Sequence, residues 1–259
     1  MMAEDSNKPS ISKTNDGSTT LYSPAFDQHY HNPNGAVTES RIVFFETSGL
    51  LDDLKRNQKL TIFETGFGTG LNLILLSNYL KQLDHPPKIF FYSVEAYPVD
   101  AETAAKFDFG PELNKSEYLQ LLTQIFRNVK TGLNTFHIND FLTLKLFIGP
   151  FKKMPKPDHP IDYFFHDPFS PEVNEELWTP DVFKTLKGFA SDSGKLATYC
   201  AASKARAAMA VAGWKIAKAP GALGKREMTV ASLNKVNLGE LKRVNELRLA
   251  ERYEKGDFD

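Results

Sequence analysis

The residues best suited to chemistry follow an apolar run at residues 60–63. Glu64 opens the segment Glu-Thr-Gly-Phe-Gly-Thr-Gly, and Leu71 then begins an apolar helical pattern. Glycine has no Cβ, so a ligand can lie against the backbone N–H groups of such a turn. The spacing is G-x-G-x-G and not the dinucleotide pattern G-x-G-x-x-G. A carboxylate beside the turn would repel a pyrophosphate and attract a cation, so we predict a cationic ligand.

Two more apolar runs end in an acid. Glu95 follows residues 90–94, where a strand-end carboxylate can accept hydrogen bonds from ribose hydroxyls. Asn139 and Asp140 follow residues 136–138 and are expected to accept from an adenine amino group. A surface acid at Glu95 and a simple Asx turn at 139–140 are the structural alternatives. Ammonium, sulfonium, ribose and adenine occur together in S-adenosylmethionine, which this pattern favours as the cofactor over NAD.

A third constellation, Asp167-Pro168-Phe169, comes after the apolar run at residues 161–165. The carboxyl ends of parallel strands form the ligand crevice of an open α/β sheet, so Asp167 is expected to face the transferred methyl group. The segment resembles the [Asp/Asn]-Pro-Pro-aromatic turn of amine methyltransferases, which holds an amine in line with that group. An aliphatic amine has a pKa of roughly 9 to 10 by analogy with lysine, so Asp167 is our candidate for orienting the amine and receiving its proton. A cap for the following helix is the structural alternative.

Short apolar runs alternate with longer helical patterns along the chain, as in a parallel sheet with helices on both faces. We predict an α/β fold, the Rossmann-like fold of class I S-adenosylmethionine-dependent methyltransferases, with seven mostly parallel strands. The predicted strands are Leu60–Glu64, Ile89–Val94, Thr135–Ile138, Ile161–His166, Lys195–Tyr199, Trp214–Lys218 and Met228–Leu233. Helical patterns cover residues 36–54, 70–83, 101–107, 116–127, 174–187 and 203–212. We predict a flexible tail at residues 1–20, a methyltransferase domain at 21–240 with an N-terminal loop and helix, and a charged tail at 241–259.

Composition limits the cellular setting and the partners. No apolar window is long enough to cross a membrane and the N-terminus lacks a signal peptide, so we expect a cytoplasmic protein. Cys200 lies in an apolar run and is expected to be a buried thiol, and the histidines lack metal-ligand spacing, so no metal is predicted. Residues 1–183 carry 16 basic and 24 acidic side chains, whereas residues 184–259 carry 15 and 8. The C-terminal part could therefore meet a polyanion, although a solvated basic helix explains the same charge.

Several stretches together resemble one family, the methyltransferase domain of the MnmC proteins and its stand-alone form MnmD. The resemblance covers about residues 21–233, and its most specific blocks are Gly-Phe-Gly-Thr-Gly-Leu-Asn at 66–72 and Gly-Lys-Arg-Glu-Met at 224–228. Other matching stretches lie at residues 22–27, 29–30, 34–35, 167–171, 176–179 and 196–199. That family makes 5-methylaminomethyl(-2-thio)uridine at the tRNA wobble position. The resemblance implies methyl transfer from S-adenosylmethionine to the aminomethyl nitrogen of a modified wobble uridine, with tRNA as the partner.

The resemblance also implies which residues form the site. The cofactor would be held by Glu64, Thr65, Gly66, Phe67, Gly68, Gly70, Asn72, Glu95, Asn139 and Asp140. Methyl transfer would take place at Asp167, Pro168 and Phe169. The substrate would contact Tyr22, Asp27, Tyr30, Lys225 and Arg226, with the last two meeting RNA phosphate or completing the pocket.

The sequence departs from the family at two points and leaves two other functions open. Pro168 stands where the family often has glycine, which stiffens the turn and removes an N–H donor. No second glycine fingerprint is present, so we expect no FAD-dependent domain in this chain. A small-molecule or protein amine N-methyltransferase could share this fold, although the basic C-terminal part favours RNA. A catalytically inactive cofactor- or tRNA-binding module is the other alternative, which the presence of Glu64, Glu95, Asp140 and Asp167 disfavours.

Overall fold

The computed structural model describes residues 8–258, which contain a three-stranded antiparallel sheet and a nine-stranded mixed sheet. The small sheet consists of β1 (Ser10–Lys13), β2 (Thr19–Ser23) and β3 (Gln28–His29). The strands of the large sheet are, in chain order, β4 (Lys59–Thr65), β5 (Lys88–Glu95), β6 (Gly132–His137), β7 (Leu142–Ile148), β8 (Ile161–His166), β9 (Ala190–Thr198), β10 (Lys215–Pro220), β11 (Glu227–Ser232) and β12 (Lys242–Arg243).

The large sheet has the spatial order β12-β10-β11-β9-β8-β4-β5-β7-β6. Its five central strands, from β9 to β7, pair in parallel. The strands at the two ends, β6 on one side and β11, β10 and β12 on the other, pair antiparallel. The carboxyl ends of β4, β5, β7 and β8 therefore meet at one edge of the sheet, where such folds bind ligands. The predicted α/β class is confirmed.

Helices cover both faces of this sheet. The helices are α1 (Ala36–Ser40), α2 (Leu50–Arg56), α3 (Leu71–Lys81), α4 (Ala101–Ala104), α5 (Lys115–Asn128), α6 (Pro180–Phe189), α7 (Ser203–Val211) and α8 (Glu246–Glu254). Ile62 packs in a cluster with residues of α2, α3 and α5, whereas Phe63 packs with residues of α6 and α7. Successive strand residues point to opposite faces, so β4 is buried on both sides and contains a continuous apolar run.

The strand predicted at Thr135–Ile138 has a different role from the expected one. Its residues 135–137 lie within β6, which runs antiparallel to β7 and forms a hairpin with it. The strand that continues the parallel sheet after β5 is β7, and it ends at Ile148. The β6–β7 turn, including Asn139 and Asp140, therefore lies at the edge of the sheet opposite the carboxyl ends of the parallel strands. The predicted position of these two residues beside the cofactor is wrong.

Three other boundaries need correction. A flexible tail at residues 1–20 is wrong for β1 and for the start of β2, where Thr19 and Thr20 are buried, while residues 1–7 lie outside the described residues. The helix predicted at 174–187 begins only at Pro180, because Thr179 caps it and proline suits the first helical position. The C-terminal segment adds β12 to the sheet, and Leu249 and Tyr253 of α8 pack against a core cluster. None of the helices within residues 8–258 combines the length and the apolarity that a membrane span requires.

Candidate active site

A cavity of about 370 Å³ opens at the carboxyl edge of β4, β5 and β8, within the size range of small-molecule sites. We call it the glycine-turn cavity. Eleven of the predicted site residues line it: Tyr30, Glu64, Thr65, Gly66, Phe67, Gly68, Asn72, Glu95, Asp167, Pro168 and Phe169. The cavity thus brings together residues from the N-terminal segment, the glycine turn and the segment after β8.

The glycine turn between β4 and α3 has a backbone that only glycine adopts easily. Gly66, Gly68 and Gly70 have φ angles of 90°, 53° and 78°. A Cβ on Gly66 would lie 2.9 Å from the carbonyl oxygen of Asp167, so this glycine allows the turn and the segment after β8 to approach each other. A Cβ on Gly70 would instead meet the side chain of Leu122 at 2.6 Å. Gly70 does not line the cavity, and its role is to let α3 begin against α5.

Glu64 is the most deeply buried carboxylate of the cavity, with 1% of its surface exposed. It accepts hydrogen bonds from Asn72 Nδ2 at 3.0 Å and from Ser93 Oγ at 2.7 Å. Burial nevertheless raises its pKa to about 8, because the two hydrogen bonds offset only part of the loss of hydration, and the charge of Glu95 adds to the increase. A cation in the cavity would favour the ionised form of Glu64.

Glu95, at the end of β5, fastens the glycine turn. Its Oε2 accepts from the backbone N–H of Gly68 at 2.9 Å, and its Oε1 accepts from the N–H of Tyr97 at 2.8 Å. Burial raises the pKa of Glu95, and the backbone N–H groups oppose that increase. Glu95 is therefore part of the cavity wall and not the surface acid that was its structural alternative.

Asp167 follows β8, and its segment is held by three backbone contacts. The N–H of Asp167 donates to Thr65 O at 3.1 Å, Tyr199 OH donates to Pro168 O at 2.8 Å, and Trp178 Nε1 donates to Phe169 O at 2.8 Å. Helix α6 takes its cap from Thr179, so Asp167 does not cap the helix that follows. Burial, followed by the charges of Glu64 and Glu39, raises the pKa of Asp167 well above its usual range. Such a carboxylate is a better proton acceptor than an exposed one.

An aromatic wall joins the N-terminal segment to the segment after β8. The rings of Phe26 and Phe169 stack with centroids 4.6 Å apart, and Tyr30 meets Phe169 edge-on at 5.0 Å. Tyr97 packs against Phe26 at 5.9 Å and is 68% exposed. All four residues line the glycine-turn cavity, so the N-terminal segment closes one side of it.

A second cavity, of about 360 Å³, lies on the other side of this wall. We call it the Glu39 cavity. It shares Tyr30, His31, Asp167, Pro168 and Phe169 with the glycine-turn cavity, and its other lining residues include Asp27, Asn32, Glu39, Tyr199 and Lys225. Asp167 thus lines both cavities, and a residue between two binding sites suits transfer between two bound molecules.

Five predicted site residues line neither cavity, and Gly70, described above, is one of them. The side chain of Asn139 accepts hydrogen bonds from the N–H groups of Phe141 and Leu142. Asn139 therefore forms the Asx turn that was the structural alternative to adenine binding, and Asp140 lies beside it in the hairpin. Tyr22 donates to Asp27 and packs against the ring of His29, outside the cavities. Arg226 is exposed in the loop after β10. Lys225, in the same loop, does reach the Glu39 cavity.

Sequence reasoning missed several lining residues. Gly149, Pro150 and Phe151 take the place expected for Asp140, and the apolar run at residues 142–148 followed by Gly-Pro was a usable signal. Glu39 and Tyr199 gave no local signal, since the first lies within a helical pattern and the second within an apolar run.

Comparisons with known proteins agree with this geometry. A family model described as S-adenosyl-L-methionine-dependent methyltransferase matches residues 113–234. Two proteins called tRNA 5-methylaminomethyl-2-thiouridine biosynthesis bifunctional protein MnmC are similar to 84% and 82% of the chain: that of Cupriavidus metallidurans at 36% identity and that of Ralstonia nicotianae at 34%. The chain belongs to the S-adenosyl-L-methionine-dependent methyltransferases of the MnmC type. It spans 33% of the length of each of these relatives. The crystal structure of MNMC2 from Aquifex aeolicus superposes with a TM-score of 0.76 at 26% identity, over 96% of this methyltransferase and 76% of that chain.

The residues of the glycine-turn cavity fit the cofactor of this family. Thr65 Oγ1 and Asn72 Oδ1 are buried lining atoms without a hydrogen-bond partner among residues 8–258, so each can interact with a bound polar group. Glu64 and Glu95 supply negative charge for a ligand that carries ammonium and sulfonium groups. The segment at 149–151 offers an apolar surface and an aromatic ring for a planar base. The donor set is therefore compatible with S-adenosylmethionine.

Proposed function

We propose that this methyltransferase converts 5-aminomethyl(-2-thio)uridine to 5-methylaminomethyl(-2-thio)uridine at the wobble position of tRNA. The observation that carries the proposal is that two cavities meet at Asp167, Pro168 and Phe169. One cavity fits S-adenosylmethionine, and the other is lined by carboxylates that suit a cationic amine. The matched relatives are named for tRNA 5-methylaminomethyl-2-thiouridine biosynthesis, which supports a tRNA amine over other amines.

The walls of the glycine-turn cavity would hold and orient the cofactor, which supplies an electrophilic methyl group when bound. Glu64 would stabilise the cationic part of the cofactor, since its carboxylate is otherwise costly to keep ionised. Glu95 would accept hydrogen bonds from ribose hydroxyls while it holds the glycine turn. Gly66 and Gly68 would let the cofactor lie against the backbone. The aromatic wall would exclude water from the reacting atoms.

Asp167 would orient the acceptor amine and accept its proton before the nitrogen lone pair attacks. Burial raises the pKa of Asp167 and so reduces the difference from the pKa of the amine, which is roughly 9 to 10 by analogy with lysine. Pro168 has no N–H, so Asp167 and Pro168 offer a carboxylate and carbonyl oxygens but no donor from the proline. A turn that presents acceptors suits a substrate that donates, as an amine does. The replacement of glycine by Pro168 is therefore compatible with the proposed reaction.

The outer surface would bind the RNA. Lys225 and Arg226 lie in the exposed loop after β10, at the border of the Glu39 cavity, where tRNA phosphates would approach the site. Tyr22 and Asp27 form a hydrogen-bonded pair on the N-terminal side of the same cavity. The excess of basic side chains over residues 184–259 would add a sequence-independent attraction. We place this reaction in the cytoplasm, where the tRNA substrate is found.

The test is methyl transfer from labelled S-adenosylmethionine to tRNA taken from cells that lack this activity, followed by nucleoside mass spectrometry. The expected product is the aminomethyl nucleoside with one added methyl group. Asp167→Asn keeps the shape of the side chain but removes the proton acceptor, so we expect a loss of rate of about 100-fold or more with cofactor affinity retained. Cofactor affinity is measured separately by calorimetry.

Each failure has its own meaning. Tight cofactor binding without any labelled nucleoside would move the substrate to a small-molecule or protein amine and refute the tRNA assignment. Absence of cofactor binding would instead favour the alternative that the protein is a catalytically inactive module. An Asp167→Asn variant as fast as the wild type would remove Asp167 from the reaction.

A further inference from the structure

The Glu39 cavity contains an ion pair between Glu39 and Lys225, and the proposed reaction assigns no role to its carboxylate. Glu39 comes from α1 and is 9% exposed, and its Oε1 accepts from Lys225 Nζ at 2.6 Å and from Asn32 Nδ2 at 3.1 Å. Lys225 is separated from Glu39 by 186 residues and enters from the loop after β10. The Lys225 ammonium also lies 4.9 Å from the ring centroid of Tyr199, whose hydroxyl holds the carbonyl of Pro168.

The two partners of this pair differ in exposure. The side chain of Glu39 is 12% exposed, whereas that of Lys225 is 41% exposed. Glu39 thus lies inside the cavity, backed by Asn32, and the more exposed Lys225 covers it from the outer side. A buried carboxylate requires a partner, and the Lys225 ammonium supplies it here.

The Glu39 cavity is lined by more acidic than basic side chains. Three carboxylates line it, those of Asp27, Glu39 and Asp167, and Lys225 is the one lysine or arginine among its described lining residues. His31 is half-buried, and this burial lowers its pKa to about 4, so it adds no positive charge at neutral pH. Glu39 engages this one lysine, so no lysine or arginine among the described lining residues is left to bind an anionic substituent.

We propose that Glu39 is the specificity-determining residue of the acceptor cavity, where it admits a primary ammonium and rejects an amine that carries a carboxylate. It does so by holding the Lys225 ammonium, which would otherwise be free to bind an anionic substituent, and by adding a negative charge of its own. The inference rests on the proposed function, because it concerns the amine on the wobble uridine. It goes beyond that function by naming what sets the choice between neighbouring amine substrates.

The experiment measures discrimination between two tRNAs that differ only in the wobble substituent. The KM for tRNA with an aminomethyl group is compared with the inhibition constant of the same tRNA with a carboxymethylaminomethyl group. The wild type is expected to bind the carboxylated tRNA about tenfold or more weakly. Glu39→Gln keeps an oxygen that can accept from Asn32 but frees Lys225, so the preference should fall by about tenfold or more. Cofactor binding by calorimetry verifies that each variant is folded.

A second variant, in contrast to Glu39→Gln, should not weaken the preference. Lys225→Gln removes the one cation and leaves Glu39 charged, so the preference for the aminomethyl tRNA should be kept or become larger. A general disturbance of the cavity would instead weaken the preference in both variants. Unchanged discrimination in Glu39→Gln, or weaker discrimination in Lys225→Gln, would overturn the assignment. A wild-type enzyme that binds cofactor but methylates no tRNA would overturn the proposed function itself and this inference with it.

Discussion

Glu64→Gln is expected to change how the stability of the cofactor-free enzyme depends on pH. Glu64 is 1% exposed, and its pKa rises from 4.5 to about 8 in the folded chain. A carboxyl group with a raised folded-state pKa contributes stability that is fully present below about pH 4.5 and is lost as the pH rises through about 8. At about 1.4 kcal/mol per pKa unit, the loss between pH 5 and pH 8 is about 3 kcal/mol.

The variant should lack this loss. Glutamine has the same shape, and the Ser93 hydroxyl and the Asn72 amide can each donate or accept, so the local hydrogen bonds can be kept. Asp167 titrates in the same direction, so the wild type should show an even steeper dependence than Glu64 alone produces. At pH 8 the cofactor-free variant should be more stable than the wild type, although it binds the cationic cofactor more weakly.

Urea unfolding at pH 5, 6.5 and 8 measures this difference, with the fluorescence of the buried Trp178 and Trp214 as the signal. Glu240→Gln is the matched control, because Glu240 is an exposed glutamate outside both cavities. The free energies of unfolding of wild type and Glu64→Gln should diverge by about 3 kcal/mol between pH 5 and pH 8. Parallel pH dependences would show that the Glu64 carboxylate is not the buried titrating group, and the account of the cavity charge would then be refuted.

Three more predictions concern the same site. Calorimetry at pH 7 in buffers with different ionisation enthalpies should detect proton release when the cofactor binds, because a cation lowers the raised pKa of Glu64. A heat of binding that is the same in all buffers would contradict this prediction. Gly66→Ala should weaken cofactor binding by about tenfold or more, whereas the control Gly110→Ala, at a similar φ of 87° but in open space, should lower only the stability, by about 1 kcal/mol. Equal cofactor affinities of the two variants would refute the argument that Gly66 is needed for the close approach to Asp167. Tyr199→Phe should lower kcat by about tenfold with little change in the KM for the cofactor, because the carbonyl oxygen of Pro168 loses its hydrogen bond. An unchanged kcat would show that this hydrogen bond does not position the turn.

The sequence predicted what local spacing determines. Glu64 and the glycines at 66 and 68 line one cavity, since a strand, a turn and a helix that are adjacent in the chain form one unit; their contacts with a cofactor remain a prediction. Asn139 and Asp140 were misplaced, because an acid after an apolar run looks the same at either edge of a sheet. The direction of β6 depends on its hairpin with β7, which no window of one strand reveals. Charge asymmetry indicated a basic C-terminal part but could not show that Lys225 enters a cavity.

Pairs of residues far apart in the chain were out of reach. Glu39 and Lys225 meet only because α1 and the loop after β10 fold to the same place, and each residue type is common on protein surfaces. The same holds for Tyr199, whose apolar neighbours indicate a buried strand and give no reason to expect a contact with Pro168. Tertiary packing produced these contacts, and the spacing of residues along the chain did not encode them.

The long separations within the site also determine when its contacts can form during synthesis of the chain. Gln28 contacts Ser170, which lies 142 residues later in the chain, and Glu39 contacts Lys225, which lies 186 residues later. The N-terminal segment leaves the ribosome first, yet it can close the site only after the strands and loops that it covers have been made. Contacts of such long range also slow folding, since the chain must close large loops before it gains them. The contact between Glu39 and Lys225 can therefore form only after the loop after β10 has emerged from the ribosome.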